Sequence, residues 1–270
     1  MTFLNLAVLA VIQGITEFLP VSSSGHLILV PMLTDWPDQG LLMDVAVHMG
    51  TLLAVILYVF KDLIGMASGL LRSLKGKSDP GATLFWQMVV ATIPVVVCGY
   101  FLNSAYPDWF RSLETVAWTT LGFGILLYVA DSIGMTMKRI EHLQYFDAIV
   151  IGLAQILALV PGTSRSGVTM TAGRILGMER GQAARFSLIL GIPTILGAGL
   201  LKGWELYESG NLELTASAGI AASLAFVCAL IAIAVMMIWL KRSTFTPFVI
   251  YRILLGAGLL GLSYEWFGLF

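Results

Sequence analysis

Between two apolar runs near the amino end, Gln13, Glu17, Ser22, Ser23, Ser24 and His26 bring an amide, a carboxylate, hydroxyls and an imidazole into one short stretch. Ionisable groups at membrane depth are costly and mark function by default. If residues 8–19 are helical, Gln13 and Glu17 are i,i+4 neighbours on one face. Pro20 then ends or kinks that helix, and the serines can cap a new one that opens at Gly25 and His26. Two half-helices meeting at such a break aim backbone N–H groups and a positive dipole end into the membrane. That arrangement suits an anion, phosphate above all.

A second stretch has the same character. Pro161-Gly162-Thr163-Ser164-Arg165-Ser166-Gly167 interrupts apolar sequence with hydroxyls and one guanidinium. Arg165 has no acidic neighbour in sequence. It either snorkels to an interface or offers its rigid donor fork to a phosphate, with Ser164 and Ser166 adding hydroxyls. Glu17 reads as a metal ligand or proton-handling carboxylate, against the blander reading of a hydrogen bond to a neighbouring helix. Gln13 divides between supporting that carboxylate and helix packing; its amide oxygen can coordinate a hard cation but cannot act as a base. His26 is a candidate nucleophile or general acid/base, against a structural imidazole. His48, inside an apolar run, and His142, in a basic loop, read as structural or interfacial. Cradle, guanidinium, carboxylate, imidazole and hydroxyl are the parts of a phosphate site, and phosphoryl transfer needs mainly positioning and charge neutralisation.

The elements that must hold these groups are membrane helices. The chain is 58% hydrophobic and 11% charged, with a mean hydropathy of +0.89; a soluble domain carries about 25% charged residues. The alternating polarity of a barrel is absent. The net charge of −1 gives no reason to expect a nucleic-acid partner. Cys98 and Cys228 lie in apolar runs without metal-ligand spacing and read as buried thiols. The amino end has no basic region before its apolar stretch and does not read as a signal peptide.

Residues 2–19 and 27–33 flank the first break, and neither half spans a hydrocarbon core that needs about 20 residues. They read as a re-entrant pair, followed by a polar connection at 34–40. Residues 44–60 form a first full span, and 61–83 a mixed linker ending in a turn. Spans follow at 84–102, kinked near Pro94, and at 115–134, separated by a short loop at 103–114. Residues 147–160 and about 168–178 repeat the broken pair around Pro161. Spans at 184–202, 214–240 and 248–264 complete the chain. The fold class is therefore an all-α polytopic membrane protein with six full spans.

The chain also repeats itself. At a shift of 141 residues Pro20 falls on Pro161, Gly50 on Gly191 and Lys61 on Lys202, and a one-residue slip sets Ser24-Gly25 on Ser166-Gly167. A broken pair and three spans, twice, makes one domain of two copies, about 1–140 and 141–270. Three spans per copy inverts the second relative to the first. Loops 61–83, 135–146 and 241–246 are basic and read as cytoplasmic; 103–114 and 203–213 are neutral to acidic and read as external. On that topology the Glu17 break hangs from the external face and the site opens outward, while the Arg165 break enters from the cytoplasm.

The two motifs carry a resemblance over nearly the whole chain. Gln13-Gly-Ile-Thr-Glu17-Phe-Leu-Pro-Val-Ser-Ser-Ser-Gly-His26 resembles the Glu/Gln-rich first motif and Ser-Ser-x-Gly-His element of the bacterial undecaprenyl-diphosphate phosphatases of the bacitracin-resistance type. Pro161 to Gly167 resembles their Pro-Gly-x-Ser-Arg-Ser-Gly motif, and Phe245-Thr-Pro-Phe-Val-Ile-Tyr-Arg252 and Phe186-Ser187 to Pro193 also fit. The resemblance implies an inner-membrane enzyme that hydrolyses undecaprenyl diphosphate to undecaprenyl phosphate and inorganic phosphate, recycling the cell-wall carrier lipid and giving bacitracin resistance. It implies a divalent cation, Mg²⁺ or Ca²⁺, and a polyprenyl diphosphate as partner within the bilayer; a homodimer is compatible with it. Catalytic roles fall on Glu17, Ser23, His26 and Arg165. Ser22, Ser24, Gly25, Thr163, Ser164, Ser166 and Gly167 stand in support, and Glu17 and Gln13 are the candidate metal ligands. Gln13 stands where many members have Glu, which leaves the ligand set open. Whether Ser23 or His26 attacks phosphorus is open as well.

Two other readings stand beside this one. A lipid or ion transporter would use the same inverted repeats but has no need of Ser-Gly-His beside a carboxylate and an arginine. The acid-phosphatase-like lipid phosphatases also carry Ser-Gly-His, yet no Lys-x6-Arg-Pro precedes it here and no His follows Ser164-Arg165 at their spacing.

Overall fold

A computed structural model describes residues 3–34, 36, 40–105, 112–134, 137–208 and 216–264. Helix α1 (Phe3–Thr16) and α2 (Ser23–Leu33) flank the first break. Then come α3 (Gly40–Tyr58), α4 (Phe60–Ser73), α5 (Pro80–Ala105) and α6 (Leu113–Ile133). Helices α7 (Tyr145–Ile156) and α8 (Arg165–Ile175) flank the second break, and α9 (Arg180–Glu208), α10 (Ala216–Leu240) and α11 (Thr246–Ser263) follow. Among the described residues, six helices are long and apolar enough to cross a membrane: α3, α5, α6, α9, α10 and α11. These are the six expected spans. Large apolar side chains such as Leu53, Phe101, Ile133, Val235 and Leu254 are exposed, as lipid solvation allows.

Several boundaries differ from the sequence reading. The 61–83 linker is largely helix α4, with Met66 and Gly69 buried. Its apolar residues fall on one helical face, and the scattered charges that suggested a linker occupy the other. Only the turn before Pro80 remains, where Arg72 Nε donates to Asp79 Oδ2 at 2.6 Å. Helix α1 stops at Thr16, before Pro20 and short of Leu19, and α8 starts at Arg165, earlier than 168. Glu205 and Glu208 belong to the end of α9 and not to a loop; Glu213, most of the 34–40 connection and Trp109 lie outside the described residues. Cys98 and Cys228 are free and half-buried, not buried; both lie on membrane-spanning helices, whose outer faces meet lipid.

Small residues set how the short helices dock. Helix α10 buries Ala218, Ala221, Ala225 and Ala229 in one stripe, which lets other backbones approach closely. A Cβ on Gly14 of α1 would lie 2.6 Å from Cys228 Cβ and 2.8 Å from the Ala225 carbonyl. A Cβ on Gly152 of α7 would lie 2.5 Å from the Ala91 carbonyl of α5. Both contacts fall near the middle of a spanning helix, so both short helices end deep in the bundle. In the wider packing α1 lies on α10 and α7 on α5, α3 packs on both α10 and α9, and α6 meets α11.

Candidate functional site

The two breaks share one local geometry. Ser22 and Ser164 are the positive-φ non-glycine residues among those described, at φ 77° and 72°. Left-handed backbone is sparsely populated for such residues and costs about 1–3 kcal/mol, a strain the surroundings must hold. Each serine caps the helix that follows. Ser22 Oγ accepts from Gly25 N at 3.2 Å, and Ser164 Oγ accepts from Gly167 N at 3.1 Å. The neighbouring hydroxyls pair as well, Ser22 with Ser24 at 3.4 Å and Ser164 with Ser166 at 3.2 Å. The caps leave the first amides of α2 and α8 facing the breaks, where an anion would meet them.

Glu17 stands where the breaks meet. The turn keeps helical spacing, with Glu17 N donating to Gln13 O at 3.0 Å, so the i,i+4 relation holds although α1 has ended. Gln13 Nε2 donates to Glu17 Oε2 at 2.9 Å, and Ser23 Oγ donates to the same oxygen at 2.7 Å. Arg165 Nη2 donates to Glu17 Oε1 at 3.3 Å, across a pair whose side chains are 7% and 12% exposed. A buried charge pair of this kind is a costly arrangement unless both partners are further satisfied. Arg165 also reaches the Ser187 carbonyl of α9 at 3.4 Å and lies 5.7 Å from the Phe18 ring centroid. Ser166 Oγ donates to the Leu19 carbonyl at 2.8 Å, joining the breaks directly.

The expected residues are thus brought together unequally. Gln13, Glu17, Ser23 and Arg165 form one bonded group, and Ser22, Ser24, Gly25, Ser164, Ser166 and Gly167 build the paired cradles around it. Thr163 is buried; its carbonyl is used but its hydroxyl has no partner among the described residues. The bonds of His26 go to Ser22 and Tyr251 and not to Glu17: Nδ1 lies 2.6 Å from the Ser22 carbonyl and Nε2 2.5 Å from Tyr251 Oη. His48 Nδ1 lies 2.7 Å from the Asp44 carbonyl one turn back in α3, the local bond of a structural imidazole.

Arg252 is the largest omission from the sequence-derived site. It is fully buried and donates to Thr120 O at 3.1 Å, Gly162 O at 3.0 Å and Thr163 O at 2.9 Å. Longer contacts of 3.4 Å reach Pro20 O and Thr119 O. One guanidinium therefore holds carbonyls from both breaks against α6. An intramembrane arginine in the last span was the signal that could have found it. Ser187, bonded to Thr169 at 2.7 Å, carried no such signal.

The donor set bears on a cation. Among the described residues no three His, Cys, Asp or Glu side chains cluster to hold a metal. Gln13 Oε1, however, is buried beside Glu17 with no hydrogen-bond partner. One carboxylate and one free amide oxygen suit a hard cation that takes its remaining ligands from phosphate and water, as Mg²⁺ commonly does.

A family model described as "Bacitracin resistance protein BacA" matches residues 6–258. A protein named undecaprenyl-diphosphatase 1 in Rhodospirillum rubrum is 53% identical, covering 98% of this chain and 96% of its own. Proteins named undecaprenyl-diphosphatase in Roseobacter denitrificans and Ruegeria pomeroyi are 48% and 47% identical, each covering 98% of this chain and 100% of their own.

Proposed function

The chain belongs to the bacitracin resistance protein BacA family, and from that premise we propose how its paired breaks carry out the hydrolysis of undecaprenyl diphosphate. The protein is a multi-pass membrane phosphatase that releases inorganic phosphate and leaves undecaprenyl phosphate. The observation that carries our reading of the site is the bond from Ser23 Oγ to Glu17 Oε2 at 2.7 Å, with Arg165 on the other carboxylate oxygen. Ser23 is the nucleophile. Its hydroxyl proton passes to Glu17 as Oγ bonds to the terminal phosphorus. The bridging P–O bond breaks, and undecaprenyl phosphate leaves. Water then attacks the phosphoserine and releases phosphate. His26 is the less suited nucleophile because both its ring nitrogens are engaged; it handles the proton of the attacking water. Arg165, with the amides at the starts of α2 and α8, neutralises the charge on the transferring group. Glu17 and Gln13 would hold the divalent cation, Mg²⁺ or Ca²⁺, whose chemistry is to offset diphosphate charge.

We read the architecture as one domain of two inverted copies. The twin left-handed serine caps support it, as do the glycine dockings of α1 on α10 and α7 on α5. On the loop charges the site opens to the external side. We place the lipid tail in an apolar groove of about 480 Å³. It starts at Ile15 and Leu19, which flank Glu17, and runs along Cys228, Ile231 and Val235 to Trp239. Trp239 lies next to the basic Lys241-Arg242 loop. A lipid whose head enters from outside directs its tail that way.

The test is phosphate release from undecaprenyl diphosphate by the purified protein. Ser23→Ala should abolish it while binding of the lipid persists; full turnover in that variant would reassign the nucleophile. For sidedness, single cysteines at Ser24 and Thr163 are labelled with an impermeant thiol reagent, with the native thiols removed. Labelling of Ser24→Cys from the cytoplasmic side alone would overturn the outward assignment.

A further inference from the structure

His26 is held at both ring nitrogens. Nδ1 lies 2.6 Å from the Ser22 carbonyl. A carbonyl only accepts, so Nδ1 carries the hydrogen, and in the neutral ring Nε2 keeps the lone pair. That lone pair meets the Tyr251 hydroxyl at 2.5 Å, so the phenol is the donor. The two rings lie within 9° of parallel with centroids 5.6 Å apart, a separation too large for face-to-face contact. The phenol therefore meets the imidazole edge to edge, along the lone pair. Tyr251 is 43% exposed and Ser24, two residues before His26 at the break, is exposed as well, so neither end of this contact is sealed inside the bundle.

We propose that Tyr251 is a catalytic residue for the hydrolysis, relaying the proton of the attacking water to His26. The inference rests on the reading of His26 as the group that handles the water proton. As Nε2 takes the phenolic proton, the phenol oxygen takes one from a water molecule. The Tyr251 O–H bond breaks and re-forms, an N–H bond forms on His26, and the water, as hydroxide, attacks the phosphoserine; the P–Oγ bond breaks and Ser23 regains its proton from Glu17. One proton has moved through Tyr251, which is unchanged. The bond also keeps the imidazole from phosphorus, in agreement with Ser23 as nucleophile.

The charged surroundings of His26 are limited. Arg252, next to Tyr251 on α11, is turned to the carbonyls of Thr120, Gly162 and Thr163. Helices α1 and α6 also pack on α2. From α1, Glu17 reaches α2 at Ser23. On α6, Glu114 is bonded to Tyr264, and Asp131 to Arg174 and Arg180.

Tyr251→Phe keeps the ring and its packing and removes only the donor. The expected result is a fall in kcat of about 10- to 100-fold, below the full range of general acid–base contributions because His26 remains. KM should be unchanged. The acidic limb of the kcat–pH profile should move to higher pH, because a hydrogen bond that favours the neutral imidazole is gone. Fluorotyrosines at position 251 preserve the bond and vary the phenol's acidity, so kcat should follow that acidity. Should Tyr251→Phe fail to fold, the fluorotyrosine series alone decides. His26→Ala is measured in parallel. A dead His26→Ala beside a Tyr251→Phe with wild-type kcat and profile would overturn the relay. So would a rate loss with no profile shift and no response to fluorination, which would make Tyr251 a structural pin between α2 and α11. Full activity in both His26→Ala and Tyr251→Phe would instead overturn the reading of His26.

Discussion

A single methyl group placed behind Arg165 should slow the enzyme without unfolding it. Gly191 of α9 packs against the guanidinium: an added Cβ would lie 2.5 Å from Nη1 and 3.0 Å from both Cζ and Nη2. Ordinary contact begins near 3.4 Å, so Nη1 must retreat by about 0.9 Å in Gly191→Ala. The guanidinium ends a flexible side chain and can move, but it then leaves the position from which Nη2 reaches Glu17 at 3.3 Å. A misplacement of about 1 Å can cost on the order of 100-fold in rate, equivalent to about 2.7 kcal/mol of transition-state stabilisation. Stability should change by no more than about 1–2 kcal/mol, because the helix preference for alanine over glycine, about 0.5–1 kcal/mol, offsets part of the cost of moving the guanidinium. Gly197→Ala is the control on the same helix, since a Cβ there meets nothing within 4 Å. The assay is phosphate release from undecaprenyl diphosphate in detergent, with kcat and KM separated and the unfolding midpoint recorded. If Gly191→Ala turns over as fast as Gly197→Ala, the exact seat of Arg165 is immaterial and its assigned role fails.

Arg165→Lys should lose most activity with the fold intact, because a point charge replaces a fork; wild-type kcat would make Arg165 structural. Arg252→Met strips the donor from three buried carbonyls bonded within 3.1 Å. At about 1–3 kcal/mol per abandoned acceptor, partly offset by removing a buried charge, it should lower the unfolding midpoint more than any substitution at Ser23. Glu17→Gln should lower turnover and blunt the response to chelator and added Mg²⁺ together, measured by cation titration; an unchanged titration would remove Glu17 from the ligand set. Cys228→Trp fills the groove beside Leu19 and should raise KM for the C55 substrate well above its effect on a short-chain diphosphate. Equal effects on both would place the tail elsewhere.

Sequence alone determined the spans and the breaks because the bilayer imposes a local rule. A helix must supply about 20 apolar residues to cross, and polar residues that interrupt such a run must be capped or bonded. The serines after Pro20 could be read as caps, and Gln13 and Glu17 as helical neighbours, since those relations lie within four residues, whereas Ser164 reads only as a hydroxyl donor because the helix after it is expected three residues too late. The 61–83 segment misled for a matching reason: its charges are scattered in sequence, and only a helix collects them on one face. What the tertiary structure decided are the meetings between distant helices. Arg252 reaches Pro20 and Gly162, Tyr251 reaches His26, and Gly191 backs Arg165. No local pattern encodes these contacts, because small residues such as Gly14 and Ala225 set how closely and in what rotation two helices dock. That docking, not the spacing of the motifs, brings Glu17, Ser23 and Arg165 to one place.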